Sequence, residues 1–199
     1  MFPKSYFPSS YFPPAMFPGG GWPSPLLLQS VVTPLAKTVD GQTIRIAMLP
    51  WQAILEEIEK NPAFLHNIDW RKLEELIAAS YDAAGFEEVT LTPRSGDDGR
   101  DVIAVKRGLF TVRFFDQVKK FKPDHLVGPE DIREMIGTLA MDPNTSKGFV
   151  TTTSDFAPTI ATNPKIQQFI PNRLELRNRE RLTEWLHQAD AELTTQPQP

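Results

Sequence analysis

At 199 residues, the chain has room for one sizeable domain and an extension. Its 21 basic and 25 acidic residues give a formal net charge of -4, which argues against a nucleic-acid binder that relies on overall positive charge alone. The absence of cysteine excludes disulfide scaffolds, thiolate zinc sites and cysteine nucleophiles.

Residues 1–25 repeat an aromatic residue followed by proline, and their composition differs from that of the remaining chain. Prolines this frequent prevent a helix and interrupt sheet hydrogen bonding, so we expect a disordered or polyproline-like tail. The alternative is a segment whose exposed rings dock on a partner protein. The apolar run Pro25–Leu28 is too short to span a bilayer, and Lys4 is not followed by the apolar core of a signal peptide. We therefore expect a cytoplasmic protein without membrane contacts.

Residues 26–66 form a short lead-in to the main domain. Thr43–Met48 alternates between apolar and polar residues like a strand, and Pro50 opens a helix that ends at Asn61 and Pro62. The apolar face of this helix is too short to be stable alone, so we expect the lead-in to pack against the main domain.

The main domain extends over residues 67–190, and we expect the polar tail of residues 191–199 to be frayed. The first predicted element is a helix from Trp70 to Ala84, capped by Asp69 and closed by Gly85. Three strands follow, at Phe86–Thr92, Asp101–Val105 and Leu109–Phe121. A helix then begins at Pro129, strands follow at Lys147–Thr153 and Leu174–Leu176, and Asn178 caps a final helix. A helix between two strands fits a parallel crossover. This order predicts the α/β class, with a central mixed β-sheet flanked by helices on both faces.

Polar side chains that are candidates for catalysis or metal binding fall on two neighbouring predicted strands. Because side chains alternate along a strand, Gln117 and Lys119 point to one side, while Val118 points to the other side, into a core. Asp101 begins the preceding strand, and an antiparallel pair joined at the Gly108 turn can bring it close to Gln117.

These residue types suit a metal-dependent phosphodiesterase. Hard divalent cations prefer oxygen ligands, so Asp101, the amide oxygen of Gln117 and the backbone carbonyl of Val118 are candidate ligands for Mg²⁺ or Mn²⁺. Such a cation lowers the pKa of a bound water and offsets charge on a phosphate. Lys119 would position the attacking hydroxide and stabilise the transition state. Each residue alone is weak evidence, since an Asp is common in turns and a Gln-x-Lys sequence is typical of a solvated strand face.

Glu74 is a further candidate, in the first helix of the main domain. It falls beside Trp70 and Tyr81, at the margin of the buried face. A carboxylate at the edge of a core is costly without a partner, so a metal contact would explain its position. The alternative is a carboxylate that the helix dipole favours near the N-terminus, and the sequence leaves both open.

Six sequence blocks occur in order along the main domain: Leu73-Glu74-x-Leu76-Ile77, Ala84-Gly85-Phe86, Gly96-Asp97-Asp98-Gly99-x-Asp101, Gln117-x-Lys119-Lys120-Phe121, Val127-Gly128 and Lys147-Gly148-Phe149-Val150-Thr151-Thr152. Together they resemble the Mrr-like restriction endonuclease family of the PD-(D/E)xK nuclease superfamily. The resemblance implies a restriction-endonuclease-like fold and magnesium-dependent cleavage of DNA. By matched position, it implies Glu74, Asp101, Gln117 and Lys119 as the active site, and Asp97 as the first acid of the glycine-rich loop.

The chain departs from the family pattern at three places. Gln117 stands where the broad motif has an acid, which leaves the site with one negative charge fewer, although Mrr-like members often carry Gln there. Asp98 stands where a second glycine is usual. Pro158 and Pro164 would shorten the helix that the family has after Thr153.

Basic residues cluster around the two strands in an otherwise acidic chain, and we expect DNA phosphate contacts from Arg94, Arg113, Lys120 and Lys122. A solubilising role is the alternative for the lysine run. We expect a magnesium-dependent DNA endonuclease that restricts foreign DNA, and a homodimer, since breaking both strands calls for two sites. The alternatives are a catalytically inactive nuclease-fold protein that binds nucleic acid, and a phage-related adaptor recruited through the aromatic–proline tail.

Overall fold

The computed structural model describes residues 25–93 and 99–195 of the chain. The expected aromatic–proline tail therefore lies outside the described residues up to position 24, as do Arg94, Asp97 and Asp98. The predictions made for these positions stay predictions.

Within the described residues, the strands form one seven-stranded sheet whose spatial order follows the chain. The strands are β1 Val32–Lys37, β2 Gln42–Ile46, β3 Glu88–Leu91, β4 Val102–Lys106, β5 Val112–Lys119, β6 Lys147–Thr152 and β7 Leu174–Arg177. Neighbours from β1 to β5 are antiparallel, whereas β5, β6 and β7 are parallel. The prediction of a mixed sheet with a parallel crossover after β5 is confirmed.

Helices cover both faces of the sheet, as predicted. They are α1 Pro25–Leu28, α2 Met48–Lys60, α3 Phe64–Asn67, α4 Trp70–Ala83, α5 Pro129–Met141, α6 Pro158–Ala161, α7 Pro164–Gln167 and α8 Arg179–Thr195. One core contains α2, α4 and α8, through side chains such as Trp51, Leu73 and Leu182. The other core contains α5, α6 and α7, through side chains such as Met135, Ile160 and Ile166. The sheet therefore separates two apolar layers.

The boundaries of α4 follow from the predicted capping residues. The Asp69 side chain accepts hydrogen bonds from the backbone N–H groups of Arg71 and Lys72, which lack partners within the first turn. Gly85 follows the helix with φ 76°, a conformation that glycine adopts without the steric cost of a Cβ. These contacts set where α4, the helix that carries Glu74, begins and ends.

The lead-in is a continuous part of the fold. Strand β2 pairs with β3, and β1, which the sequence pattern did not predict, extends the sheet beyond β2. The indole Nε1 of Trp51 in α2 donates a hydrogen bond to Asp190 Oδ1 in α8 at 2.8 Å. The expectation that this segment packs against the main domain agrees with these contacts.

The C-terminal third differs from the family pattern and from one predicted boundary. The two prolines at positions 158 and 164 each begin a helix of four residues, α6 and α7, as expected from their effect on helices. Helix α8 continues to Thr195, so residues 191–195 are helical and the frayed tail predicted there needs correction. The physical reason is that Ala189 is buried and Leu193 packs against the core. In the described ranges, no helix has the length and apolar character needed to cross a bilayer.

Candidate active site

Asp101 lies immediately before β4, opposite Gln117 of β5. The β4–β5 register pairs Val102 with Asp116, and the Asp101 N–H donates to the Asp116 carbonyl at 3.0 Å. The Asp101 carboxylate in turn accepts a hydrogen bond from the Val118 N–H, at 2.6 Å from Oδ2. The strand pairing therefore brings Asp101 to Gln117, as the sequence predicted.

Gln117 is buried, with 3% of its surface exposed, and points toward α5. Its Oε1 has no hydrogen-bond partner among the described residues. A buried polar atom without a partner is costly, so this oxygen is available for a ligand. Gly99 lies over the same side chain: an added Cβ there would be 3.2 Å from Gln117 Nε2 and 3.4 Å from Glu134 Oε1.

The oxygens around Asp101 and Gln117 fit the donor set of a hard divalent cation. The Val118 N–H points to Asp101, and the N–H and C=O of one strand residue point to the same side, so the Val118 carbonyl faces this site too. No group of three His, Cys, Asp or Glu side chains able to hold a metal occurs in ranges 25–93 and 99–195. A metal here would therefore depend on the amide and carbonyl oxygens of β5 beside the Asp101 carboxylate.

Lys119 lies on the same side of β5 as Gln117 and contacts two carboxylates of α5. Its Nζ is 3.1 Å from Asp131 Oδ1 and 3.1 Å from Glu134 Oε2. Burial lowers the pKa of Lys119, but hydrogen bonds and ion pairing with Glu134 and Asp131 outweigh this effect and raise its pKa overall. The ammonium group is thus charged and fixed beside Gln117.

Asp131 and Glu134 were missed in the sequence. Their spacing of three residues puts them on one side of α5, and a parallel crossover places that helix over β5. This signal was present, but acidic residues in the first turns of a helix are also common without a partner.

Glu74 is buried, with 5% of its surface exposed, and it reaches the site only through an arginine in the contacts described. Arg71 Nη1 lies 2.7 Å from Glu74 Oε2 and 3.0 Å from the Thr92 carbonyl. The Thr92 N–H donates to the Asp101 carbonyl at 3.1 Å. Glu74 therefore lies behind the strand ends that position Asp101, and its metal-binding role stays a prediction.

The predicted phosphate contacts have different surroundings. Arg113 Nη1 is 2.8 Å from Asp142 Oδ2, Nη2 is 3.6 Å from Asp40 Oδ2, and the guanidinium stacks over Phe115 at 4.9 Å. These acids offset its charge within the chain. Lys120 is partly buried and Lys122 is exposed, and neither forms an ion pair with another described residue.

A buried polar network supports β5 from the other side of the sheet. Asp116 Oδ2 accepts hydrogen bonds from the Tyr81 hydroxyl at 2.9 Å and from Arg177 Nη1 at 3.0 Å. The Arg177 guanidinium lies 3.7 Å from the centre of the Trp185 ring. Burial raises the pKa of Asp116, an effect that Arg177 opposes. The sequence analysis missed this network, whose members come from α4, β5, β7 and α8.

Comparison with known proteins identifies a family. Residues 65–186, more than half of the chain, match the Mrr_cat family model, which is described as a restriction endonuclease. The uncharacterised protein y4cE of Sinorhizobium fredii is 29% identical over 97 residues, which make up 48% of this chain and 24% of that protein. The chain thus spans about a quarter of the length of this curated relative.

Three solved structures of restriction endonucleases align with part of the chain, each with a TM-score below 0.5. FokI gives a TM-score of 0.47 at 12% identity, over 74% of this chain and 28% of that one. MspJI in complex with a 27-mer oligonucleotide gives 0.43 at 18% identity, over 73% and 31%. The DNA modification-dependent enzyme AspBHI gives 0.41 at 17% identity, over 83% and 43%.

Proposed function

The chain belongs to the Mrr-type restriction endonuclease family, and from that premise we propose that it hydrolyses phosphodiester bonds of DNA with Mg²⁺ or Mn²⁺ as its cofactor. The observation that carries this proposal is the buried Oε1 of Gln117, which has no hydrogen-bond partner among the described residues, on the β5 residue that lies opposite Asp101. An amide oxygen beside a carboxylate, with an ammonium group on the same side of the strand, is the set of groups that a metal-dependent phosphodiesterase uses.

In this proposal, Asp101, Gln117 and the Val118 carbonyl would hold the cation, and Glu74 would add a carboxylate near the same ends of β3 and β4. When bound, the cation supplies an activated water and offsets charge on the phosphate. Asp101 is oriented for this task by the Val118 N–H, which fixes one of its oxygens. The β4–β5 pairing therefore sets the position of the ligands before DNA arrives.

Lys119 provides the fixed positive charge of the proposed site. Its ammonium group can donate to a non-bridging phosphate oxygen and stabilise the negative charge that develops there during hydrolysis. Asp131 and Glu134 hold the ammonium in place from α5, at 3.1 Å each. A preorganised cation of this kind costs little reorganisation when the substrate binds.

We also propose a biological setting and an assembly. Restriction of foreign DNA is the biological role that the family assignment favours. Because one site cuts one strand at a time, cleavage of a duplex calls for two copies of the site, which a homodimer would supply.

The test is a cleavage assay on modified and unmodified plasmid DNA with Mg²⁺, Mn²⁺ or a chelator. We expect cleavage by the parent protein with either metal and none with the chelator. Asp101→Ala and Lys119→Ala should each reduce the rate by about 100-fold or more, the size of a lost transition-state contact. Lys165→Ala removes an exposed lysine of α7 and should cleave like the parent.

A parent protein that is folded and binds DNA but cuts neither substrate with either metal would contradict the proposal. That outcome would instead support the alternative of a nuclease-fold protein that binds nucleic acid without cutting it.

A further inference from the structure

Three basic residues lie beside the end of β5, on the side of the sheet away from Lys119. Because side chains alternate at a strand end, Lys120 points opposite to Lys119. Arg179, the first residue of α8, lies with Nη1 3.2 Å from Nε2 of His66 in α3. Burial lowers the pKa of His66, and the charges of Arg179 and Lys120 lower it further. We call His66, Lys120 and Arg179 the basic cluster.

The basic cluster lacks an acidic counterpart in the described part of the chain. Neither Arg179 nor Lys120 forms an ion pair there, although Lys119 and Arg113 each contact two carboxylates. Like charges held together without a counter-charge repel, and a bound anion relieves that repulsion. Of the five N–H donors of Arg179, His66 engages one, and the backbone N–H of Arg179 is used separately.

The cluster adjoins the proposed cleavage site. The Arg179 N–H donates to the Ser154 carbonyl at 3.0 Å, and the Thr153 N–H donates to the Lys119 carbonyl at 3.3 Å. Arg179 and Lys119 are therefore joined through two consecutive residues at the end of β6. Phosphates follow one another about every 3.4 Å along the axis of each DNA strand, so a strand whose phosphate is at Lys119 has others within reach of the cluster.

We propose that the basic cluster binds the phosphodiester backbone of DNA next to the bond that is cut. This inference rests on the proposed nuclease function and adds the residues that hold the substrate in place. Arg179 and Lys120 supply the positive charge, and neutral His66 accepts a hydrogen bond from Arg179 and orients its guanidinium. Phosphate contacts of this kind carry no sequence preference, so the cluster sets affinity and register rather than the recognition sequence.

The test measures DNA affinity apart from cleavage. The full chain and its variants are titrated against a labelled duplex oligonucleotide in EDTA, between 50 and 200 mM salt, where roughly one decade of affinity is lost for every few phosphate contacts. Arg179→Ala and Lys120→Ala should each weaken binding about 3- to 10-fold and reduce the salt slope by about 0.9, the value for one phosphate contact. Arg179→Lys keeps the charge and should keep the slope of the parent.

Lys37→Ala is the matched control, because it removes an exposed lysine from β1 at the far side of the sheet. It should bind like the parent, and melting curves should show that all variants are folded. Unchanged affinity and slope in both alanine variants would overturn the proposal, and so would a parent that binds no DNA at low salt. Weakened binding without any cleavage by the parent would support the cluster while contradicting the nuclease function.

Discussion

Lys119 and Lys120 are neighbours in the sequence but belong to different surroundings at the end of β5. Lys119 contacts Asp131 and Glu134 over one face of the sheet, whereas Lys120 lies toward His66 on the other. Because successive side chains of a strand point to opposite faces of the sheet, the two lysines have different neighbours although they are adjacent in the chain. One lysine is thus fixed by acids near the proposed metal ligands, and the next stays available for an anion.

The two carboxylates of α5 lead to a prediction about Lys119. Glu134→Gln removes one of its two charged partners, and we expect the ammonium to occupy a wider range of positions. The rate of DNA cleavage at saturating DNA should fall about tenfold, equivalent to about 1.4 kcal/mol in the barrier. The KM for DNA should change little, because Lys119 acts mainly in the transition state.

Glu130→Gln is the matched control for this variant. Glu130 lies on the same helix, is exposed and pairs with Arg133 rather than with Lys119. It should cleave DNA at the parent rate. Equal rates for Glu134→Gln and the parent would show that Glu134 does not position Lys119.

The site could be predicted in part from the sequence, for reasons that concern single residues. Side-chain alternation is a local property of a strand, so it correctly put Gln117 and Lys119 on one side of β5. The antiparallel pairing of β4 with β5 puts Asp101 across from Gln117. The partners of Arg113 are distant in sequence: Asp142 is 29 positions away, and Asp40 precedes the main domain altogether. Local patterns contain no information on such pairs, so Arg113 was predicted as a DNA phosphate contact without its two acidic partners.

At the scale of elements, the contact between α5 and β6 depends on the small size of Gly148. A Cβ at Gly148 would lie 2.8 Å from Met135 Sδ and 2.9 Å from Leu139 Cδ1, both in buried side chains. Gly148→Ala should therefore force the helix and strand apart and reduce the free energy of unfolding by about 1–2 kcal/mol. Urea unfolding followed by circular dichroism measures the change.

Gly137→Ala, in the same helix α5, is expected to raise the free energy of unfolding instead of lowering it. A Cβ at Gly137 meets no atom within 4 Å, and alanine favours a helix over glycine. This variant should gain up to about 1 kcal/mol in stability and keep its cleavage rate. If both alanine variants shifted stability equally, the tight packing at Gly148 would not be the cause.

Gly99, which lies over the Gln117 side chain, gives a prediction about activity. Gly99 has φ +74°, and an added Cβ would also approach Gln117 Nε2. Gly99→Ala should therefore displace the loop or the Gln117 amide, with a backbone strain of about 1 kcal/mol or more. We expect cleavage to require higher Mg²⁺ concentrations than in the parent, measured by titrating the metal in the plasmid assay.

The elements themselves were predicted with uneven success. Capping and turn residues gave the start of α4 and the start of α5, because Asp69 and Pro129 act locally. Strand β1 was missed, since five of its six residues are exposed and Pro34 weakens the strand pattern. Its pairing with β2, rather than its own composition, makes it a strand.

At the scale of the whole molecule, the pair of Asp116 and Arg177 connects β5 with β7 across the intervening strand β6. The two side chains are 0% and 8% exposed. Asp116→Ala would leave the Arg177 charge buried without its carboxylate, so we expect a loss of about 3–5 kcal/mol in the free energy of unfolding. Glu88→Gln, which affects an exposed pair with Arg107, should change it by less than about 1 kcal/mol. A small effect of Asp116→Ala would mean that water reaches Arg177.

The segment that matches the family is smaller than the folded unit. A chain cut to residues 65–186 would lose β1, β2 and α2, expose the edge of β3 and remove Asp190. We expect it to aggregate or to lack a cooperative melting transition, as seen by light scattering and circular dichroism. Removal of residues 1–24 alone should leave melting and cleavage unchanged, because every contact described above remains.

The hydrogen bond between Trp51 and Asp190 spans 139 positions of sequence and joins two residues that both lie outside the shared segment. It connects the segment that precedes the family match with the segment that follows it. A shorter piece of this chain that is moved into another protein therefore has to keep this hydrogen bond or replace it with another contact.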